Sequence, residues 1–415
     1  MKRRVVITGL GAVTALGEGA KALWEAVLQS RSGIDFISIL GEDWKPAGAR
    51  IKNFDPEKFV VQKKALKVMA RDIQLAVAAA SLALDDAGAK FPGINRERAG
   101  VIVGSGVLNH EIEELAASVH HSMEDGKLDL KKFGEEGLRL LFPLWLLKYL
   151  PNMSACHVSI LFDLEGPNNT ITTGASAGLQ AVGEAFRVIE RGSADLMLAG
   201  GAESKLNPVG LSEYQVLGVL SRANGGDPKK VYRPFDTDAK GIVVGEGSGF
   251  LVLEGLEHAK KRNARIYAEI AGFGSSSNSS REWAMKAALG DSGIGPSKID
   301  YLQACGLGVF EDDRLEARAI ENVFDGQAGK LSVSASKSVT GFTGFSSGAL
   351  DLIISIFAVQ NEMIPPVMNF TKPSGHWGFQ IVKEKPLCKK INYAMTNVFG
   401  LSGQSASIIV KPYKG

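Results

Sequence analysis

The chain has 415 residues, 45% of them hydrophobic and 22% charged, which supplies enough apolar side chain for a large core. Lys and Arg number 47 against 45 Asp and Glu, so a formal charge of +2 calls for neither nucleic acid nor an anionic membrane. The hydrophobic content excludes disorder, and three widely spaced cysteines, Cys156, Cys305 and Cys388, exclude a secreted disulfide scaffold.

At the start, Lys2, Arg3 and Arg4 precede an apolar run, as in a signal peptide. The β-branched Val5, Val6, Ile7 and Thr8, with Gly9 and Gly11 close behind, read instead as a core strand and a glycine turn over 4–11. Residues 71–87 have alanine-rich helical periodicity, stopped at Gly88. Residues 99–106 are again strand and turn. The most apolar stretch, 138–150, is too short for a membrane span and is broken by Arg139, Pro143 and Lys148. A cytoplasmic protein is expected. A strand over 169–174 leads to a helix over 177–192 that closes at Gly192, and 194–204 returns to strand. Residues 249–262 read as strand then helix, and 264–277 as a strand ending in a small-residue loop. This alternation predicts an α/β fold, with buried strands covered by helices on both sides. Residues 169–186 and 332–357 echo each other, each passing from strand through small residues into an apolar helix. A duplicated α/β unit follows, one compact body built of two similar halves.

Several local patterns could carry chemistry. Gly174-Ala175-Ser176-Ala177-Gly178 matches the G-x-S-x-G turn that presents a serine nucleophile between strand and helix. Its only downstream bases are His258, on a helix expected to face solvent, and His376, in an expected loop. The competing reading is that small residues simply allow tight strand–helix packing. Cys156 directly precedes His157, so the two point in different directions and form no ready dyad. Cys305 ends an apolar run before Gly306 and Gly308, a position that suits either an active-site thiol or an inert buried one. His120 and His121 form a lone pair beside acidic residues and make no metal site. Gly245-Glu246-Gly247-Ser248-Gly249 lacks the Lys-Ser/Thr of a phosphate loop and reads as a turn feeding a strand. Lys337, among small residues at a strand end, is either a satisfied buried cation or an electrostatic element of a site.

Taken together, 3–17, 101–106, 169–186, 233–254, 258–274, 334–341 and 396–404 resemble the β-ketoacyl synthase family of condensing enzymes. The resemblance implies a thiolase-like fold: two pseudo-repeated α/β halves in stacked α-β-α-β-α layers, normally dimeric. The halves are expected at 1–255 and 256–415, with an insertion at 107–165 serving the dimer interface and tunnel. The family's acylated cysteine falls on Ala175, and its two histidines fall on Cys305 and Phe342, whereas Lys337 and the structural carboxylate Glu316 match. Loss of one oxyanion donor typically costs about 2.7–4 kcal/mol of transition-state stabilisation. Loss of the nucleophile and both imidazoles leaves no expected condensation.

The remaining pattern resembles a chain-length factor, a ketosynthase-like subunit that pairs with an active ketosynthase and works on acyl carrier protein. Such factors commonly carry glutamine where this chain has Ala175. No cofactor is implied. In this resemblance Phe142, Trp145 and Leu146 are candidates for tunnel or interface, and Phe399 and Leu401 occupy the gating loop. Lys63, Lys64 and Lys67 are candidates for carrier-protein docking, or else a solvated face. The alternatives are a hydrolase or acyltransferase repurposed around Ser176 or Cys305, and a homodimeric acyl-binding scaffold.

Overall fold

The structure, a computed structural model, describes residues 2–39, 45–89, 93–106, 111–221, 226–278 and 280–415. In the first part of the chain the principal strands are β1 (Val5–Thr14), β2 (Ala99–Gly104), β3 (Asn168–Ile171), β4 (Leu196–Ser204) and β5 (Glu246–Gly255). In the second they are β6 (Ala268–Ser276), β7 (Tyr301–Gln303), β8 (Ser332–Ser334), β9 (Gln380–Ile381), β10 (Ala394–Phe399) and β11 (Ser405–Lys411). Hydrogen bonding orders the first set as β3-β2-β4-β5-β1 and the second as β8-β7-β10-β11-β6, with β9 flanking β8. In each set three neighbouring strands run parallel and the last two pair antiparallel. The two orders are the same permutation, so the sequence echo is a duplication of topology. β1 and β6 join the sets through the pairs Val6–Glu269 and Ile7–Ala268.

Helices fill the layers around these sheets. Those that matter here are α1 (Ala20–Leu28), α2 (Arg71–Asp86), α3 (Ile112–His121), α4 (Met153–Leu161), α5 (Ala177–Glu190), α6 (Pro208–Val216), α7 (Glu282–Ser292), α8 (Phe310–Phe324) and α9 (Ser347–Asn361). The outer layers are α2 on β1, β4 and β5, and α7 on β6 and β11. Between the sheets lie α5 and α9, in contact with each other. Strand alternation divides the core accordingly. On β5, Phe250 and Val252 join Ile73 and Val77 of α2, while Leu251 and Leu253 turn inward to the cluster of Leu179 and Ile353. On β11, Ile408 and Val410 face inward and Ile409 faces the outer cluster with Met285. Each such burial contributes roughly 1.5–3 kcal/mol.

Two glycine segments differ from their expected turns. Gly9 and Gly11 lie inside β1, and Gly247 and Gly249 inside β5. The cause is close approach by a neighbour rather than a bend. A Cβ at Gly11 would stand 2.0 Å from the Ala79 carbonyl oxygen, so α2 presses directly on the strand backbone. At Gly249 a Cβ would meet the Leu350 side chain at 3.0 Å. Residues 138–150 form short turns of 3-10 helix rather than one continuous element. No helix among the described residues is long and apolar enough to cross a membrane.

The two central helices start alike. Thr173-Gly174-Ala175-Ser176 precedes α5 and Thr343-Gly344-Phe345-Ser346 precedes α9, each through a single 3-10 turn. Gly174 and Gly344 have φ of +63° and +46°, a conformation open to glycine. Ser176 and Ser346 each donate to the carbonyl three residues back, at 2.9 Å. The helices then meet at glycine, where a Cβ at Gly348 would stand 2.6 Å from that of Leu179. Gly348→Val is therefore expected to cost about 1–3 kcal/mol by overpacking. The measurement is a lower urea midpoint at unchanged slope, and an unshifted midpoint would contradict this crossing.

Candidate functional site

The paired turns bring together most of the residues singled out in the sequence. Ala175 is buried in the turn that opens α5, and that turn touches β10, α9 and the Gly344–Ser346 turn. Phe399 ends β10, and its carbonyl accepts from the Cys305 Sγ at 3.7 Å. Glu316, on α8, takes the backbone amides of Cys305 and Gly306 at 2.7 and 2.8 Å, fixing the loop that follows β7. Lys337 opens a short helical turn after β8 and lies fully buried. Its Nζ donates to Asp351 Oδ2 of α9 at 2.7 Å. The other Asp351 oxygen accepts from Ser336 Oγ at 2.5 Å and Gln303 Nε2 at 2.9 Å. Thus Lys337 is a satisfied buried cation, held against the helix that crosses α5.

The chemistry available here is narrow. Ala175 offers only its methyl group. Ser176 is fully buried, and its hydroxyl already donates to the Thr173 carbonyl while Gln180 Nε2 approaches at 3.3 Å. Burial pushes the Cys305 thiol up to about 12, although Lys337 nearby pulls the other way. At neutral pH this is a thiol and not a thiolate. Lys337 is raised despite burial, by the Asp351 charge and hydrogen bond. Phe342 is buried edge-to-face on Tyr214, with ring centroids 5.8 Å apart, and its amide joins Val243 at 2.8 Å.

Histidines among the described residues lie elsewhere. His120 and His121 are on α3 and His157 on α4. His376 lies outside the named helices and strands, and His110 lies outside the described residues. His258 differs from its expected solvent-facing position: its Nδ1 lies 2.6 Å from buried Glu254, which also takes the Arg262 guanidinium. No group of three or more His, Cys, Asp or Glu among the described residues could hold a metal ion.

Around the site, Leu401 is 39% exposed beside buried Phe399. Phe142 and Leu146 are 48% and 59% exposed. Trp145 is partly covered and stacks at a tilt on Tyr149. Lys63, Lys64 and Lys67 sit exposed on a 3-10 segment, with Lys63 paired to Glu57. Asp351, Gln303, Tyr214 and Phe345 belong to this centre but were not singled out from sequence. Asp351 had a signal, a lone charge within the apolar helix 349–359.

The stacked halves and their crossed helices define a thiolase-like scaffold. The beta-ketoacyl synthase N-terminal domain family matches residues 2–259 and the C-terminal domain family residues 267–371, so the chain belongs to the β-ketoacyl synthase family. It is 35% identical to the 3-oxoacyl-[acyl-carrier-protein] synthase 2 of Coxiella burnetii, covering 99% of this chain and 98% of that protein. The ishigamide ketosynthase/chain length factor superposes with a TM-score of 0.87 at 26% identity, and both chains are fully covered. The ketosynthase complex with a type II PKS acyl-carrier protein matches with a TM-score of 0.86 at 27% identity, again over the whole of both chains.

Two measurements probe this centre. Exposed Cys388 is expected to react quickly with a thiol reagent in the native protein, and buried Cys305 only after denaturation. Native-state labelling of Cys305 would contradict its burial. Lys337→Met strands the Asp351 carboxylate and is expected to cost about 3–5 kcal/mol. Replacing both members by apolar residues should recover most of that loss in urea unfolding.

Proposed function

We propose that this chain is a ketosynthase-family subunit with no condensing activity of its own. It pairs with an active ketosynthase as a chain-length factor in acyl-chain assembly on acyl carrier protein. The observation that carries the reading is Ala175 at the head of α5. The helix N-terminus that would activate a nucleophile meets a methyl group, and the nearest thiol is protonated and buried. In this reading Ala175 stands where the acylated cysteine would be, Cys305 and Phe342 where the imidazoles would be, and Lys337 and Glu316 serve as structure.

The pairing surface follows from exposure. Leu138, Leu140, Phe142, Leu144 and Leu146 present half or more of their area, or close to it, and Ile160 on α4 is 72% exposed. The edge strand β3, in contact with α4, ends the sheet among the described residues. An apolar strip next to an open edge suits a partner of like fold, whose own edge strand would continue the sheet. Support also comes from the ketosynthase/chain length factor relative, which matches over the whole chain. Phe142, Trp145 and Leu146 then belong first to the interface, and Lys64 and Lys67 remain open for an acidic carrier protein in the cytoplasm. The halves divide at 255 and 256, with 107–165 inserted for pairing.

Coexpression with a candidate ketosynthase, followed by native mass spectrometry with malonyl- and acyl-loaded carrier protein, tests the reading. A one-to-one complex acylated only on the partner's cysteine is expected, and Leu144→Asp with Leu146→Asp should dissociate it. A homodimer that itself gains acyl mass would overturn the proposal. Ala175→Cys alone is expected to restore no condensation, because no imidazole assists it. Turnover by that variant would equally overturn it.

A further inference from the structure

A second polar centre lies on the other side of Phe345. Its amide donates to Glu203 Oε2 at 2.7 Å, and its carbonyl oxygen would stand 2.3 Å from a Cβ at Gly178 of α5. Phe345 is therefore the wall between the α5 turn and a pocket of about 160 Å³. The pocket opens between the start of α2, the end of β4 and residues 148–149. That last segment lies within the region whose apolar residues suggested an acyl tunnel, yet this cavity is charged.

The lining carries three cations, Arg71, Lys148 and Lys205, and three carboxylates, Asp72, Glu111 and Glu203. Each cation of the lining already has a carboxylate outside the pocket. Arg71 forms two hydrogen bonds to Glu246 at 2.7 Å. Lys148 is bonded to Glu114, and Lys205 reaches Glu213 at 2.8 Å. The carboxylates that face the pocket are less well served. Glu203, also lining it, has the Phe345 amide, the Tyr214 hydroxyl at 3.3 Å and a distant share of Lys205 at 3.9 Å. Glu111 stands at the rim. Asp72 is 95% buried, and its carboxylate accepts from its own amide and that of Ile73. No other side chain among the described residues bonds to it. Burial raises it to about 7, with the Glu203 charge adding to the effect.

We propose that this pocket binds a small organic ammonium, with the Asp72 carboxylate as its counter-ion and Glu203 completing the site. The protein's own arrangement shows the preference. Lys205 Nζ rests 5.5 Å from the centroids of both Tyr214 and Phe345 while facing Glu203. Aromatic faces and carboxylates together are the surroundings an ammonium favours. Asp72 lies on the same cavity, and no lysine or arginine among the described residues is bonded to it. A metal ion is the poorer fit, because no set of three or more ligating side chains exists among the described residues. An alkyl chain is poorer still, since it would bury these carboxyls with no hydrogen bond in return.

The test uses the full-length chain and n-butylammonium, n-butanol and butyrate as probes, read by calorimetry and thermal shift. Butylammonium is expected to bind at least about tenfold more tightly than butanol, with butyrate not binding, and Asp72→Asn to remove that preference. Equal binding of the alcohol, or an Asp72→Asn variant that folds and binds as before, would overturn the proposal. A soak of wild-type crystals with 3-bromopropylammonium is independent of the variant's folding. Bromine density inside the pocket, with nitrogen at hydrogen-bond distance from Asp72, supports the site. Density confined to other places overturns it.

Discussion

The structure depends on one steric constraint, the close crossing of two helices that begin with the same turn. Gly178 and Gly348 admit α5 and α9 to backbone contact, and Gly104 and Gly201 let the strands beneath approach equally closely. A Cβ at Gly201 would meet the Phe345 carbonyl oxygen at 2.5 Å, and one at Gly104 the Gly178 amide at 2.3 Å. Four elements thus converge on a point where no side chain fits. Such contact is possible only if both helices start at fixed depth, and the positive-φ glycines with their serine hydroxyls set that depth. The residue after each glycine then projects from this crossing, Ala175 on one side and Phe345 on the other.

This constraint explains how a lysine and a carboxylate are held, fully buried, beside the crossing. Lys337 binds α9 through Asp351, and Glu316 ties down the two amides after β7. Both hold the second half of the fold against the crossing, whatever the first half presents there. Removing one member of a buried pair leaves an uncompensated charge and is strongly destabilising. By contrast, a methyl at Ala175, a thiol at Cys305 and a phenyl ring at Phe342 each fill space without asking for a partner.

The layered fold was legible because it is written in local pattern. β-branched runs, the alanine-rich helix ending at Gly88 and the helix closing at Gly192 each carry their own start and stop signals. The duplication was legible as well, since the same small residues recur before both central helices. The interior strand glycines were not. Gly11 and Gly249 look like turns in sequence, and only the distant α2 and α9 reveal that they make room for packing. His258 was misplaced for a related reason: its partner Glu254 lies buried at the end of the preceding strand, on the side that faces α2. Asp351 was visible as a lone charge in an apolar helix, but its pairing with Lys337 depends on how α9 docks.

The pocket behind Phe345 lay beyond sequence reasoning because its lining comes from five separate stretches, around 72, 111, 148, 203 and 345. Its position has a mechanical consequence. Phe345 is the counterpart of Ala175 in the duplicated turn, and its amide is bonded to Glu203. A ligand that draws on the Glu203 carboxylate acts directly on the turn that sets the depth of α9. Because α9 meets α5 at glycine, that turn cannot shift without changing the surroundings of Ala175. The pocket and the α5 turn thus share one wall, the Phe345 backbone, whose amide serves Glu203 and whose carbonyl packs on Gly178.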